Sequence, residues 1–405
     1  MKVLFFSPAY PPEMVEFTKA LVALGVQVIG VVDAIPSKSV RHLLSGIVHV
    51  PSLLDEDRAY PICVDWLKTH TVDLIISNWE PTMLLAARLR ARAGLPGMSV
   101  DSTLAFRDKT LMRRRVAEAG LRIPKTERAE RNQEIWAAAE KIGFPLILKP
   151  VAGAGSAKTH RVDSPAELAQ ACRILETVPV VSVEEFIQGE ERTFETICIN
   201  GKPGFESMSI YRPSCLIARQ NERLSPIIQT YRELNEPVLA EGRRLGHSVL
   251  TALGMGTGYT HMEWFWTESG EAIFGEVACR SPGANMVDLI NYSGNIDSYL
   301  GWAMAQVVGE LPEYSPSPYS AAIVFKRARG RGTIQRYNGL QQFVQRYGNH
   351  IARIDFLPIG QKRRNWQQTF LADGNIVVRH PEFQVTAALA EAVAEHIWIE
   401  AGQSN

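Results

Sequence analysis

A chain of 405 residues exceeds one ordinary hydrophobic core and points to two or three domains. With 43 basic and 43 acidic residues the formal net charge is zero, which excludes a global basic field for nucleic acid or an anionic membrane. No run of about 18 apolar residues is present, so no membrane-spanning helix is expected.

The opening Met1-Lys-Val-Leu-Phe-Phe-Ser-Pro is too short an apolar run for a signal peptide and reads as a first strand over 2–7. Five cysteines (63, 172, 198, 215 and 279) are scattered without paired metal spacing, which fits free thiols in a reducing cytoplasm. Glu13–Leu24 reads as a helix stopped by Gly25. Apolar runs at 26–32, 47–50 and 72–77 read as further strands, with helical patterns at 63–70 and 82–93 between them. That alternation predicts a doubly wound parallel sheet in a first domain over 1–105. The glycine fingerprint of dinucleotide sheets is missing, since Ser7-Pro-Ala-Tyr-Pro-Pro follows the first strand. A nucleotide is therefore not assigned to this domain.

A helix over 106–119 and another over 132–142 follow, each stopped by glycine. Pro145-Leu-Ile-Leu-Lys-Pro150 is an apolar strand ending in a lysine, and Gly153-Ala-Gly-Ser-Ala-Lys158 is a loop of small residues. Small residues let backbone N–H groups approach phosphate oxygens. Lys149 suits a triphosphate, or it snorkels at a strand end. Ser164 with Glu167 is a capping box, predicting a helix to about Glu176. Val180–Ile187 is a strand whose Glu184, Glu185, Phe186 and Ile187 could line an adenine, and Glu191 could take ribose hydroxyls. The alternative is a strand edge entering an acidic turn.

Residues 193–200 and 203–211 form a predicted hairpin around Asn200-Gly201. The irregular 213–230 segment reads as a substrate loop or a surface excursion. A helix over 233–253 precedes two strands, 258–266 and 271–279. Side chains two apart share a strand face, so His261, Glu263 and Phe265 align, as do Glu276, Ala278 and Arg280. Carboxylates on neighbouring strands with an arginine beyond make a hard-cation site beside an anion site. A solvated face of glutamates paired with arginines is the alternative; the apolar neighbours of Glu276 make an unpartnered carboxylate there costly. Trp264 and Trp266 fall on the opposite, core-facing side, and helices are predicted over 284–292 and 295–308. Pro312–Pro318 reads as a linker to an α+β lobe with strands at 320–325, 352–357 and 374–379 and helices at 338–347 and 384–399. Arg113-Arg-Arg115 reads as a solvated helix face, and the basic clusters 326–331 and 362–364 lack the aromatic pattern of nucleic-acid binders.

Taken together, Lys109, Lys149-Pro150, the Gly-Ala-Gly-Ser loop, Glu184-Glu185-Phe186-Ile187-x-Gly189-x-Glu191, His261-x-Glu263 and Glu276-x-x-x-Arg280 resemble the ATP-grasp superfamily over roughly 1–310. The resemblance implies an ATP-grasp fold of mixed α/β and α+β type. Its parts would be a preATP-grasp domain at 1–105, an ATP-grasp domain at 106–312 and a C-terminal lobe at 313–405. Within the second, a small lobe would run to about 187 and a large lobe from about 188, completed by the C-terminal lobe.

By position, Lys109 and Lys149 would contact the α- and β-phosphates of ATP, with Gly155 and Ser156 over the γ-phosphate. Glu184, with Glu185 beside it and the backbone of Phe186 and Ile187, would hold adenine, and Glu191 the ribose. Glu263 and Glu276 would ligate magnesium, or manganese in its place. Arg280, with Lys149 and the backbone around Gly283, would serve catalysis, and His261, Arg280 and Ser281 would face substrate. Many members carry asparagine where this chain has Ala278. The Glu-x-Ala-x-Arg form looks most like the L-amino-acid ligase branch. The implied chemistry joins a carboxylate to an amine through an acyl phosphate, releasing ADP and phosphate. Activation of bicarbonate or formate, and an inactive ATP-binding scaffold, are the competing readings. The implied partners are small-molecule carboxylates and amines, without nucleic acid or membrane, in a cytoplasmic protein. The first domain often builds dimers in similar proteins, which makes a homodimer a further candidate partner.

Overall fold

The computed structural model describes residues 1–151, 159–366, 369 and 371–402. The chain begins with a parallel sheet in the order Gly46–His49, Gln27–Val32, Lys2–Phe6, Leu74–Ile76. Val3 to Phe6 are all fully buried, because a parallel sheet is covered on both faces and reads as a continuous apolar run. Helices Glu56–Leu67 and Met83–Ala93 pack on one face. The other face carries helix Met14–Ala23, and it is closed from outside the first 105 residues. There Phe17 meets Tyr299 and Trp302 edge-on, with ring centroids 4.8 and 4.9 Å apart. Tyr299 and Trp302 belong to helix Ser298–Val307, so the two units share one core.

An antiparallel sheet follows, ordered Thr126–Ala129, Val181–Glu185, Leu146–Pro150, His160–Val162, with helices Asn132–Ile142 and Pro165–Ile174 against it. The large antiparallel sheet is ordered Ala272–Ala278, Gly258–Thr267, Gly189–Ile199, Lys202–Arg212, Ile227–Thr230, Ser320–Phe325, Gly374–His380, Ile351–Phe356. The C-terminal residues therefore extend the sheet that carries Glu263 and Glu276. They also form a three-stranded sheet with strands Thr333–Asn338 and Trp398–Gly402, where the sequence predicts no strand.

Three other local expectations change. The single helix expected over 106–119 is two helices, Val100–Arg107 and Lys109–Glu118. Asp108 breaks it: its carboxylate accepts from the Thr110 and Leu111 amides at 2.8 and 2.9 Å, a side-chain N-cap that starts a new helix at Lys109. The segment 213–230 holds a short helix, Cys215–Gln220, and the strand Ile227–Thr230. The third change concerns strand 271–279. Strict alternation puts Phe274 on the face of Glu276. Instead the register runs His261–Ala278, Glu263–Glu276, then shifts to Trp264–Phe274, leaving Gly275 as the extra residue of a bulge. The bulge lets Phe274 and Val277 both enter the core while Glu276 stays on the other face. A Cβ at Gly275 would lie 2.8 Å from the Glu263 carbonyl oxygen, so the close strand approach requires glycine.

Helix Pro237–Leu253 lies on the core face of this sheet, and two glycines set its distance. A Cβ at Gly242 would fall 2.2 Å from the Trp264 ring, and one at Gly246 2.2 Å from the Phe194 ring. Both rings are fully buried. Gly242→Val should destabilise the fold by about 1–3 kcal/mol through overpacking. A lowered midpoint of thermal unfolding checks this; an unchanged midpoint would mean that the helix does not rest on Trp264.

Candidate functional site

A cleft of about 800 Å³ lies between the small sheet and the large one, and Lys109, Lys149, Glu184, Glu191, His261, Glu263, Glu276, Arg280 and Gly283 all line it. Glu263 and Glu276 are directly opposite each other on neighbouring antiparallel strands. Facing like charges destabilise a sheet unless a cation offsets them. Lys109 does so here for Glu276, with Nζ 2.9 Å from Oε2. Two facing carboxylates open to a cleft fit a hard divalent cation, which takes few protein oxygens and completes its shell with phosphate and water. Ala278 offers no donor; across the register it faces His261. The His261 Nδ1 is 2.8 Å from Oε1 of the fully buried Glu195, and Nε2 is 3.7 Å from Glu263. Burial alone would lower the His261 pKa, but the hydrogen bonds and charges of Glu195 and Glu263 raise it to about 9.

Glu191 lies on the same sheet face, two residues before Thr193, which pairs with Glu263. Its Oε2 accepts from the Cys215 amide at 2.7 Å, tying the central strand to the 215–220 helix. Donor atoms of Glu191, Cys215 and Glu263 lie within 4.8 Å of one another. Burial, then the charge of Glu263, pushes the Glu191 carboxyl up to about 8.

Glu184 is buried beneath the other wall. Arg113 grips it with both terminal nitrogens at 2.8 and 2.9 Å, Lys149 reaches it at 2.9 Å and the Ser182 hydroxyl donates at 2.7 Å. Burial pushes this carboxyl up, but the Arg113 hydrogen bonds and the two cationic charges outweigh it and hold the pKa at about 2. Arg113 is thus a wall of the cleft and not the solvated helix residue that its Arg-Arg-Arg run suggests. Its signal is the spacing: Lys109 and Arg113 lie one turn apart on the helix that Asp108 starts.

Glu185, Phe186, Ile187 and Ser281 are not among the described residues that line the cleft. Glu185 accepts from Arg122 at 2.7 and 2.9 Å and from the Lys125 amide at 3.0 Å. The Phe186 amide donates to the Pro145 carbonyl at 3.1 Å, its ring carries Arg161, and Ile187 is buried. Gly155 and Ser156 lie outside the described residues.

The first sheet reaches the site through residues that sequence reading left unassigned. Beyond the carboxyl end of strand Leu74–Ile76, Asn78 exchanges two hydrogen bonds with Ser281, at 2.9 and 3.1 Å. Glu80 accepts from Arg280 Nε at 3.1 Å. Open parallel sheets present ligand-facing loops at this end.

Residues 114–292 match the family model described as the ATP-grasp domain. The chain is 26% identical over 324 residues to an L-arginine-specific L-amino acid ligase from Bacillus subtilis, covering 78% of this chain and 77% of that protein. It is 28% identical over 233 residues to a formate-dependent phosphoribosylglycinamide formyltransferase from a Synechococcus strain, covering 55% of this chain and 57% of that one. Among solved structures, an L-amino acid ligase from Bacillus licheniformis superposes with a TM-score of 0.78 at 20% identity, covering 100% of this chain and 99% of that one.

Arg113→Ala leaves buried Glu184 with Lys149 as its remaining cation and should cost on the order of 3 kcal/mol. Because the folded pKa of Glu184 lies below its usual 4.5, at about 2, its contribution to stability is present above pH 4.5 and is lost as pH falls toward 2. Acid unfolding of Arg113→Ala should therefore begin at higher pH than in the wild type. Superimposable acid transitions, followed by circular dichroism, would show that the pair carries no stability.

Proposed function

We propose, from this chain's place in the ATP-grasp family, that it is an ATP-dependent carboxylate–amine ligase acting on amino acids or a peptide-like metabolite. The facing Glu263–Glu276 pair carries this reading, because it shares one cleft with Lys109, Lys149 and Arg280. That set matches the charge of a triphosphate, a metal and an activated carboxylate.

In this reading Lys109 and Lys149 exchange their carboxylate partners for the α- and β-phosphates of ATP. A divalent cation held by Glu263 and Glu276 supplies charge compensation for the phosphate oxygens, and magnesium suits the donors, with manganese as a substitute. The Gly155–Ser156 loop would cover the γ-phosphate. Adenine would lie in the cleft beside Glu184; Phe186 and Ile187 do not line that cleft, so of the Phe186 backbone only the carbonyl could serve it, the amide being held by Pro145. Glu191 would take the ribose. The substrate carboxylate attacks the γ-phosphate, ADP leaves, and the acyl phosphate is attacked by an amine, giving an amide and phosphate. Arg280, hydrogen-bonded to Glu80 and to the Ser281 carbonyl, would offset charge on the acyl oxygen through both steps. Gly283 and its neighbours precede helix Met286–Gly294, whose N-terminal amides favour the same anion.

Formate activation is the second reading, supported by the similarity to the formyltransferase. Phosphate release with amino-acid pairs, arginine included, separates the two. Release that needs a carboxylate and an amine together is the expected result. ADP formation with formate or bicarbonate alone would overturn the ligase reading.

Glu276→Gln should lower turnover at least a hundredfold while ATP still binds; wild-type turnover would remove Glu276 from the metal site.

A further inference from the structure

We propose that Glu195 and His261 act as a positioning pair that orients Glu263 for the metal, an inference that rests on the metal–nucleotide reading above. Glu195 is wholly buried in the middle of strand Gly189–Ile199. It sits directly opposite His261, and its Oε1 meets the imidazole Nδ1 at 2.8 Å. That contact fixes the ring and turns Nε2 toward Glu263, 3.7 Å away. A carboxylate that orients an imidazole is a recurring device behind metal ligands, where it sets tautomer and direction. Here the imidazole addresses the metal carboxylate, leaving the carboxylate's remaining lone pairs for the cation.

Two observations separate this from simple core filling. The first is Ala278. It stands opposite His261 on the other neighbouring strand and its methyl group offers no donor, so the polar groups beside Glu263 on this face come from Glu191, Thr193, Glu195 and His261. The imidazole is the polar side chain that faces that position. The second is the burial of an acid at this point. Glu195 is wholly buried, with the His261 imidazole and the Thr193 hydroxyl as its side-chain partners and Glu263 as a neighbouring like charge. Replacing such a buried pair by apolar side chains of similar volume is often neutral or stabilising. The chain retains an ionisable group there, aligned through His261 with a metal ligand.

The test measures metal binding and does not need turnover. Mn2+ is titrated into the full chain with a non-hydrolysable ATP analogue and followed by electron paramagnetic resonance. Wild type, Glu195→Gln and the apolar double variant Glu195→Leu/His261→Leu are compared. Glu195→Gln should weaken Mn2+ binding about tenfold, and the double variant at least as much. Binding of the analogue without metal should stay within about twofold of wild type. The double variant removes the charge while filling the space, so it reports on positioning even if Glu195→Gln folds poorly. Wild-type Mn2+ affinity in a folded double variant would reduce the pair to core filling. A raised substrate KM with unchanged Mn2+ affinity would make His261 a substrate contact, and would also overturn the proposal. If wild type itself binds no Mn2+ with the analogue, the metal reading falls and takes this inference with it. If Mn2+ binding responds as expected but no carboxylate–amine pair is turned over, the ligase reading fails and the positioning pair stands.

Discussion

Two carboxylates facing each other across one strand pair set the terms for the rest of the site. Glu263 and Glu276 are register partners, so neither can move away from the other without breaking the ladder. Their repulsion must be offset, and the surrounding residues do this. Lys109 approaches Glu276 from the helix that Asp108 starts, and His261 approaches Glu263 from the same strand. The bulge at Gly275 makes the pairing compatible with a packed core, because it turns Phe274 inward without turning Glu276 with it. Packing on one face and chemistry on the other are thereby separated by a single extra residue.

The opposite wall follows the same rule with a different residue at its centre. Glu184 is buried, so its charge is tolerated only because Arg113, Lys149 and Ser182 converge on it. The arginine and the lysine are thereby ordered at the cleft surface before any ligand arrives. Such ordering limits the conformational entropy lost when a ligand binds. Lys109 and Lys149 are each held by a carboxylate, Glu276 and Glu184 respectively.

Much of the fold was legible because its signals are local. The apolar runs of the first sheet, the glycine stops and the Asn200-Gly201 turn all report on neighbouring residues. The His-x-Glu and Glu-x-x-x-Arg spacings placed four cleft residues because strand alternation is a short-range rule. What was not legible depends on partners far along the chain. Arg113 looks like one of three solvated arginines until Glu184 is brought to it across 71 residues. Glu195 looks like an acid in a hairpin until His261 arrives opposite it. Trp398 and Ile399, which open strand Trp398–Gly402, were read as the end of a helix, since a short apolar segment fits either period until a pairing partner is known. The break at Asp108 had a local signal, an N-cap residue, that the surrounding helical pattern concealed.

The contacts from Asn78 and Glu80 have a consequence for how this chain can be altered by descent. The residues matched by the domain family begin at 114, yet the orientation of Arg280 depends on a carboxylate at position 80. The Phe17–Trp302 packing makes the same dependence structural. The first sheet is therefore not an exchangeable module. A recombinant that kept the later sheets and acquired a foreign leading sheet would inherit Arg280 without the Glu80 carboxylate beside it.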